Sequence, residues 1–317
     1  MSARISIIIP CYNAAPWIAE TLNSVVAQRR DDLEVIAIND GSTDSTSGII
    51  KGDFTFVRLL ETPNRGVSHA RNLGTSVANG DFIQYLDADD LLEPGKLSRQ
   101  IDALEKTGAD VAYGDWRRIE PDRKGGYRSG ATVVRSLVGS PEIALFTEFW
   151  CPPAAYLFRR EIVEKVGGWN TSLPVIQDAR FVLDCALHGA VFAYVPGVVA
   201  TYRVHAANSL STRDLLTNLR NQLRNAGDIE RWWGERGGIA GTRLQALLKV
   251  YGHVARASYG KDNGVFEGAY LALERLTPGY VPNSPRSLAI VSKLTGYRTA
   301  ESIALRYRRA KRVFRAA

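Results

Sequence analysis

Ile5-Ser6-Ile7-Ile8-Ile9-Pro10-Cys11-Tyr12-Asn13 is a short, almost wholly apolar and β-branched run that breaks at a proline into a polar turn. A run of that length and composition reads as a strand buried on both faces, the habit of parallel sheets. Similar runs recur at Leu33–Ile38, Phe56–Leu60, Phe82–Leu86 and Asp110–Tyr113, and helical patterns cover Ala15–Gln28, Gly66–Ala78 and Pro94–Lys106 between them. Strands spaced by helices predict βαβ units and a mostly parallel sheet in an α/β fold. In such sheets ligands bind beyond the carboxyl ends of the strands. The residues directly after each run therefore carry the functional expectation.

Further along, Trp116–Thr147 reads as irregular, with Pro121-Asp122-Arg123-Lys124-Gly125-Gly126 as its clearest loop. Ala154–Phe158 and Val191–Val195 read as strands flanking a helix over Gln177–His188, and after Ser211 the pattern turns helical: Leu215–Trp233, Thr242–Tyr259, Val265–Leu276 and a last helix from Ala300. This predicts an α/β domain over residues 1–211, in halves of about 1–115 and 116–211, and a helical extension over 212–317.

The 317 residues can bury a large core. Cys11, Cys151 and Cys185 are odd in number, scattered and without metal-ligand spacing, which favours a reducing compartment. The first apolar run is too short for a signal peptide, and no stretch reaches the ~18 apolar residues of a membrane span. The expected location is therefore cytoplasmic. The net charge is +7, but Ser302–Ala317 alone holds six basic residues (Arg306, Arg308, Arg309, Lys311, Arg312, Arg315) and no acidic one, leaving +1 for the rest. The basicity belongs to a tail, so a nucleic-acid-binding face is not indicated. Ile303, Tyr307, Ala310 and Phe314 fall at helical spacing among those arginines. Residues 300–317 thus read as a basic amphipathic helix able to rest on an anionic membrane at the inner leaflet, the alternative being a solvated helix packed on the domain by its apolar stripe.

Polar, acidic and aromatic groups converge on the strand ends: Pro10-Cys11-Tyr12-Asn13, Asn39-Asp40-Gly41-Ser42-Thr43-Asp44 and Asp87-Ala88-Asp89-Asp90. Three carboxylates within four residues repel one another unless a cation sits among them, and hard ions such as Mg²⁺ or Mn²⁺ are held by one or two carboxylates plus substrate phosphates. The competing reading is a solvated turn whose Asp caps a helix, a role that suits Asp90 better than Asp87 or Asp89.

These blocks, with Asn64-Arg65-Gly66-Val67-Ser68-His69-Ala70-Arg71-Asn72-Leu73-Gly74 and Tyr85-Leu86 ahead of the carboxylates, resemble the family-2 inverting glycosyltransferases of GT-A fold over Ile5 to about Ser211. The resemblance implies a nucleotide-sugar half (1–115) and an acceptor half (116–211). It implies that Pro10, Tyr12, Asn13, Asp40, Asn64, Arg71, Asp87 and Ala88 bind the donor, Tyr12 stacking on its base, Asp40 on base or ribose, and Arg71 on base or phosphate. Asp89 would be the main ligand of a divalent metal (Mn²⁺ or Mg²⁺), with Asp87 on ribose or metal-bound water and His205 completing the metal site or touching the diphosphate. Asp178 falls on the position of the catalytic base, preceded by Gln177 where the family has Glu. A UDP-sugar is the expected donor, a glycan or lipid-linked molecule the acceptor, and surface polysaccharide or glycolipid assembly the setting.

Trp150 and Trp169 precede the base and are read first as core aromatics, sugar stacking being the alternative. No Gly-rich phosphate loop follows the first strand, which argues against a nucleotidyltransferase or a nicotinamide dehydrogenase. A non-catalytic nucleotide-sugar or membrane-surface binding protein of the same fold stays open, with Gln177 in its favour.

Overall fold

The computed structural model describes residues 4–122, 126–205 and 214–316, the side chains of 309–316 excepted. The chain divides into two compact units, Met1–Ser209 and Leu210–Ala317. The boundary expected at residue 211 lies outside the described residues, as do Arg123-Lys124-Gly125 of the expected loop.

In the first unit β1 (Ile5–Cys11), β2 (Leu33–Asp40), β3 (Val57–Thr62) and β4 (Phe82–Tyr85) are connected through α1 (Ile18–Val26), α2 (Thr46–Asp53) and α3 (Val67–Val77). Strand β1 pairs in parallel with β2 from Ile5–Leu33 to Cys11–Asn39, and on its other side with β4 from Ile5–Phe82 to Ile8–Tyr85. The chain thus winds outward through β2 and β3, then returns across β1. The gap opened by that reversal, at the carboxyl ends of β1 and β4, is where a ligand fits in an open α/β sheet. Ile7, Ile8, Ile9, Ile36, Ala37 and Ile38 have no solvent exposure, as a strand covered on both faces demands.

Beyond β4 the sheet continues through β8 (Tyr156–Arg159), β6 (Val111–Pro121) and β9 (Phe192–Arg203) to the two-residue β5 (Leu91–Leu92), with β7 (Tyr127–Val133) hung on β6. Strands β8, β5 and β7 run antiparallel to their neighbours, while β6 and β9 pair in parallel. Strands β1, β2, β4, β6 and β9 therefore all point their carboxyl ends toward one edge. The helices α4 (Lys96–Thr107), α5 (Pro141–Thr147), α6 (Arg160–Val166) and α7 (Gln177–Leu187) complete the unit.

Two strands run further than their sequences suggest. Expected to stop at Tyr113 and Val195, β6 and β9 continue to Pro121 and Arg203 through a bulge at Gly114–Asp115. There Asp115 accepts hydrogen bonds from the Tyr194 hydroxyl (2.7 Å) and the Gly197 N–H (3.0 Å), so the Pro-Gly step that reads as a stop is bridged. Gly197 supplies the φ of 90° that the bulge requires. The β6–β7 hairpin, α2, α5 and α6 arise where the sequence reads as loop, and the strand expected from Ala154 begins at Tyr156 after a 3₁₀ turn over Pro153–Ala155.

The second unit holds α8 (Leu215–Glu235), α9 (Gly241–Ser258), α10 (Asn263–Leu276), α11 (Arg286–Thr295) and α12 (Tyr297–Ala316). Asp214 and Asp262 cap α8 and α10, accepting from Leu216 N (2.9 Å) and Val265 N (3.1 Å) respectively. At its centre the buried Glu230 accepts from the Tyr251 hydroxyl (2.7 Å) and from Arg275 Nη2 (3.0 Å). Among the described residues no helix is long and apolar enough to cross a membrane.

Close helix–sheet packing fixes the site geometry at Gly74 in α3, where an added Cβ would lie 2.4 Å from Ile8 Cγ2 and 2.7 Å from Ile38 Cδ1. Gly74→Val should destabilise the protein by about 2–3 kcal/mol in urea unfolding. Gly48→Ala, in α2 where a Cβ meets nothing within 4 Å, should stabilise it by roughly 0.5 kcal/mol.

Candidate active site

The loops after β1 and β2 are stitched together. Asn13, at φ 50°, donates its N–H to Ser42 Oγ (2.9 Å) and accepts from Thr43 N (2.8 Å) with its side chain. Asp44 accepts from Ala15 N (3.0 Å) and Thr46 N (3.0 Å). Burial of Asp44 opposes its charge, but these bonds and that from the Thr46 hydroxyl outweigh it and hold the carboxyl below its ordinary range. Asn39 is spent in the same way, accepting from Ser42 N (3.0 Å) and donating to Ser47 Oγ (2.6 Å). What this frame leaves free is Tyr12, 55% exposed at the end of β1, with the exposed Asn64 on the neighbouring segment and Pro10 buried beneath.

Asp40 is 3% exposed, and its two oxygens accept from the backbone N–H groups of Arg65 (2.9 Å) and Gly66 (2.8 Å). It anchors the approach to α3. At Gly41, φ 76°, an added Cβ would stand 2.8 Å from Asn64 N, so the two segments touch backbone to backbone.

Across the gap lies an ion pair between Arg71, 1% exposed, and Asp87 at the end of β4. The guanidinium lies 4.1 Å over the ring of Trp169. Its Nε and Nη1 are buried and bond to nothing in the structure, so Arg71 keeps two donors in reserve. Burial raises the Asp87 carboxyl above its ordinary range; Arg71 pulls against this, and Asp89 and Asp178 add to it.

Asp89 turns the other way. Its Oδ2 sits 2.7 Å from His205 Nε2, while the Trp17 ring packs against that imidazole at a tilt of 58° with centroids 4.7 Å apart and the Tyr127 hydroxyl lies 3.4 Å from Nδ1. Strand β9 fixes this contact: Arg203 donates through Nε to the Asp89 carbonyl (2.9 Å), through its backbone N–H to Asp90 Oδ1 (2.9 Å), and through Nη2 to Glu20 (2.5 Å). Ala88, 8% exposed, has its carbonyl held by the Thr21 hydroxyl at 3.0 Å. Asp90 does not cap a helix as its position suggests. The chain pairs with β9 as β5 directly after it, and the 1% exposed carboxyl serves that junction. Burial, with Asp89 and Asp87 beside it, raises Asp90 well above the carboxylate range.

Asp178 opens α7, preceded by Ile176 at φ 62°, a left-handed conformation costly for a β-branched residue and therefore imposed by its surroundings. Its Oδ2 accepts from Trp150 Nε1 at 2.7 Å. Trp150, Trp116 and Tyr202 pack edge to face, with centroids 5.4–5.6 Å apart. Burial first, then the charges of Asp90, Asp87, Asp89 and Asp178, drive the Tyr202 phenol far above its usual range. Trp169 is core, 4% exposed and stacked on Phe181 at 4.3 Å. Trp150 is not simply core, because it steers Asp178. No sequence signal marks that pairing.

Among the described residues no three His, Cys, Asp or Glu side chains form a metal cluster. Asp89 and His205 offer one oxygen and one nitrogen, which suits a divalent cation that takes its other ligands from phosphate and water. Asp87 has one oxygen committed to Arg71.

The sequence profile of glycosyl transferase family 2 matches residues 6–167. A glycosyltransferase of uncharacterised role from Rickettsia bellii is 36% identical over 38% of this chain, which spans only 18% of that relative. Another such relative, from Nostoc sp., is 26% identical over 71% of this chain and 72% of its own length. Among solved structures, residues 1–349 of S. aureus TarS in complex with UDP-GlcNAc superpose with a TM-score of 0.67 at 18% identity, covering 98% of this chain and 92% of that 1–349 chain. The Pyrobaculum calidifontis mannosyltransferase PcManGT, in complex with GDP-Man and Mn²⁺, gives 0.52 at 21% identity over 95% of this chain and 84% of its own. These structures share the GT-A fold.

The Arg71–Asp87 pair makes a testable demand on stability. Asp87→Ala should cost about 3 kcal/mol in urea unfolding, because Arg71 is left charged and buried, and Arg71→Met in the same chain should recover most of that loss.

Proposed function

Because the chain belongs to glycosyl transferase family 2, we propose that it transfers a sugar from a nucleotide-diphosphate sugar to an acceptor hydroxyl with inversion at the anomeric carbon, aided by a divalent metal. The observation that carries this reading is the meeting, at one sheet edge, of an exposed aromatic (Tyr12), a buried arginine with two spare donors (Arg71), an Asp–His pair (Asp89, His205) and an oriented carboxylate (Asp178). The base stacks on Tyr12, with Pro10, Asn13 and Asn64 around it. Asp40 acts by holding the Arg65–Gly66 backbone against the donor loop. A UDP-sugar is the donor we favour.

Arg71 gives its free N–H groups to the diphosphate and neutralises charge as the anomeric C–O bond breaks. Asp89 and His205 would hold the cation beside those phosphates, where it would stabilise the same charge as a Lewis acid. Trp150 fixes Oδ2 of Asp178, leaving Oδ1 to take the acceptor proton while the acceptor oxygen attacks opposite the departing diphosphate. The bond to the acceptor oxygen forms on one face of the anomeric carbon as the bond to the diphosphate breaks on the opposite face, so the configuration inverts. Asp87 tensions Arg71 and lies near the sugar-bearing phosphate.

The setting we favour is assembly of a surface polysaccharide or glycolipid at the inner face of a membrane. The last 43 residues carry ten basic side chains and a single acidic one, Glu301, and expose Ile290, Leu294, Ile303 and Tyr307. Apolar groups among cations suit an anionic leaflet. Co-sedimentation with phosphatidylglycerol vesicles should fall several-fold in Ile303→Asp/Tyr307→Asp, and equal binding by this variant and the unchanged chain would remove the membrane contact.

UDP, GDP, dTDP and CMP should be compared by thermal shift with and without Mn²⁺. One nucleotide should stabilise the protein only with metal, and Asp89→Ala should abolish that shift. Asp178→Asn should keep the shift yet lose at least ~10²-fold in kcat, a base's usual contribution. No shift with any nucleotide would overturn the donor site, and undiminished turnover in Asp178→Asn would overturn the base.

A further inference from the structure

Arg118 lies on β6 at the level of Tyr202 in the paired strand β9. Trp116, two residues earlier, packs on the Tyr202 ring at 5.6 Å, which puts Trp116, Arg118 and Tyr202 on one face of the sheet. That face also carries Trp150, and through it Asp178. Arg118 is half-buried, and its Nε is enclosed with no hydrogen-bond partner. The carboxylate nearest in sequence on the same face, Glu120, is committed to Arg128 at 3.4 Å. A guanidinium held partly out of water with an unanswered donor is a poor structural element and a good anion receptor. Two residues of strand separate it from Trp116, roughly 7 Å, about the length of one sugar ring.

We infer that Arg118 is the anion-binding end of the acceptor subsite, and that the acceptor is a sugar or polyol bearing a phosphate or carboxylate about one ring away from the hydroxyl that is glycosylated. The inference rests on Asp178 being the base: a hydroxyl at Asp178 directs the rest of the acceptor across Trp150, Trp116 and Tyr202. The aromatic surface binds the ring and Arg118 its charge. A neutral acceptor would leave the buried Nε of Arg118 as unsatisfied as it is without ligand.

The test is calorimetric titration of the full chain with glucose, glucose 6-phosphate and glucuronate, each in the presence of saturating UDP and GDP so that the donor's phosphate site is occupied. An anionic sugar should bind at least about tenfold tighter than glucose, the usual worth of a charge-assisted hydrogen bond. Arg118→Gln should erase that preference, and Arg118→Lys should retain part of it. Preference for the phosphate alone, or for the carboxylate alone, identifies which anion the acceptor carries. Equal binding of all three, binding lost whenever the nucleotides are present, undetectable binding of both anions, or an unchanged preference in Arg118→Gln each overturns the proposal. Asp178→Asn keeps the two readings separable. Full turnover in that variant would overturn the base assignment while leaving an Arg118-dependent anion preference standing.

Discussion

A guanidinium with 1% exposure cannot remain charged without compensation, and the placing of Arg71 governs the rest of the site. Its charge is met by Asp87 on one side and by the face of Trp169 on the other. Those contacts tie α3, the end of β4 and the segment before α7 into one unit. Trp169 in turn stacks on Phe181 of α7, whose first turn presents Asp178. The end of β4 and the start of α7 are thus linked through a single buried cation. Its Nε and Nη1 stay buried and without a hydrogen-bond partner.

The second organising feature is the crowding of carboxylates. Asp87, Asp89, Asp90 and Asp178 all act on Tyr202, and the fold separates their duties by giving each a different partner. Asp87 faces an arginine, Asp89 a histidine, Asp90 a backbone N–H, and Asp178 an indole N–H. Asp90 is pushed above the carboxylate range by burial and by its neighbours, while Asp178 is held through Oδ2 alone by the Trp150 indole. The same short motif therefore gives Asp89 to His205 and Asp90 to the strand junction with β9.

Much of the first unit was legible in the sequence, because doubly covered parallel strands must be short apolar runs and the polar residues that end them are consecutive. The runs from Ile5, Leu33 and Phe82 became β1, β2 and β4 for that reason. The extension of β6 and β9 was not legible. Gly114, Asp115, Pro196 and Gly197 read locally as breaks, yet together they make one bulge whose hydrogen bonds cross about eighty residues of chain. The helix-capping role that suits Asp90 failed similarly, since the pairing of Leu91 and Leu92 with β9 competes with helix and prevails.

By itself the sequence determined the order of the buried strands β1 to β4 with α1 and α3 between them, the family, and which residues stand at the carboxyl ends of those strands, all of which follow from local periodicity and from contiguous motifs. Only the tertiary structure decided what those residues touch. It set His205 against Asp89, put the Trp150 indole on Asp178, spent Asp40 on two backbone amides, and placed Arg118 beside Tyr202 with its Nε unpartnered among the described residues. The physical reason is that hydrogen bonds and ion pairs form between side chains brought together by strand register and packing. Their partners are separated by tens to more than a hundred residues, a distance over which local pattern carries no information.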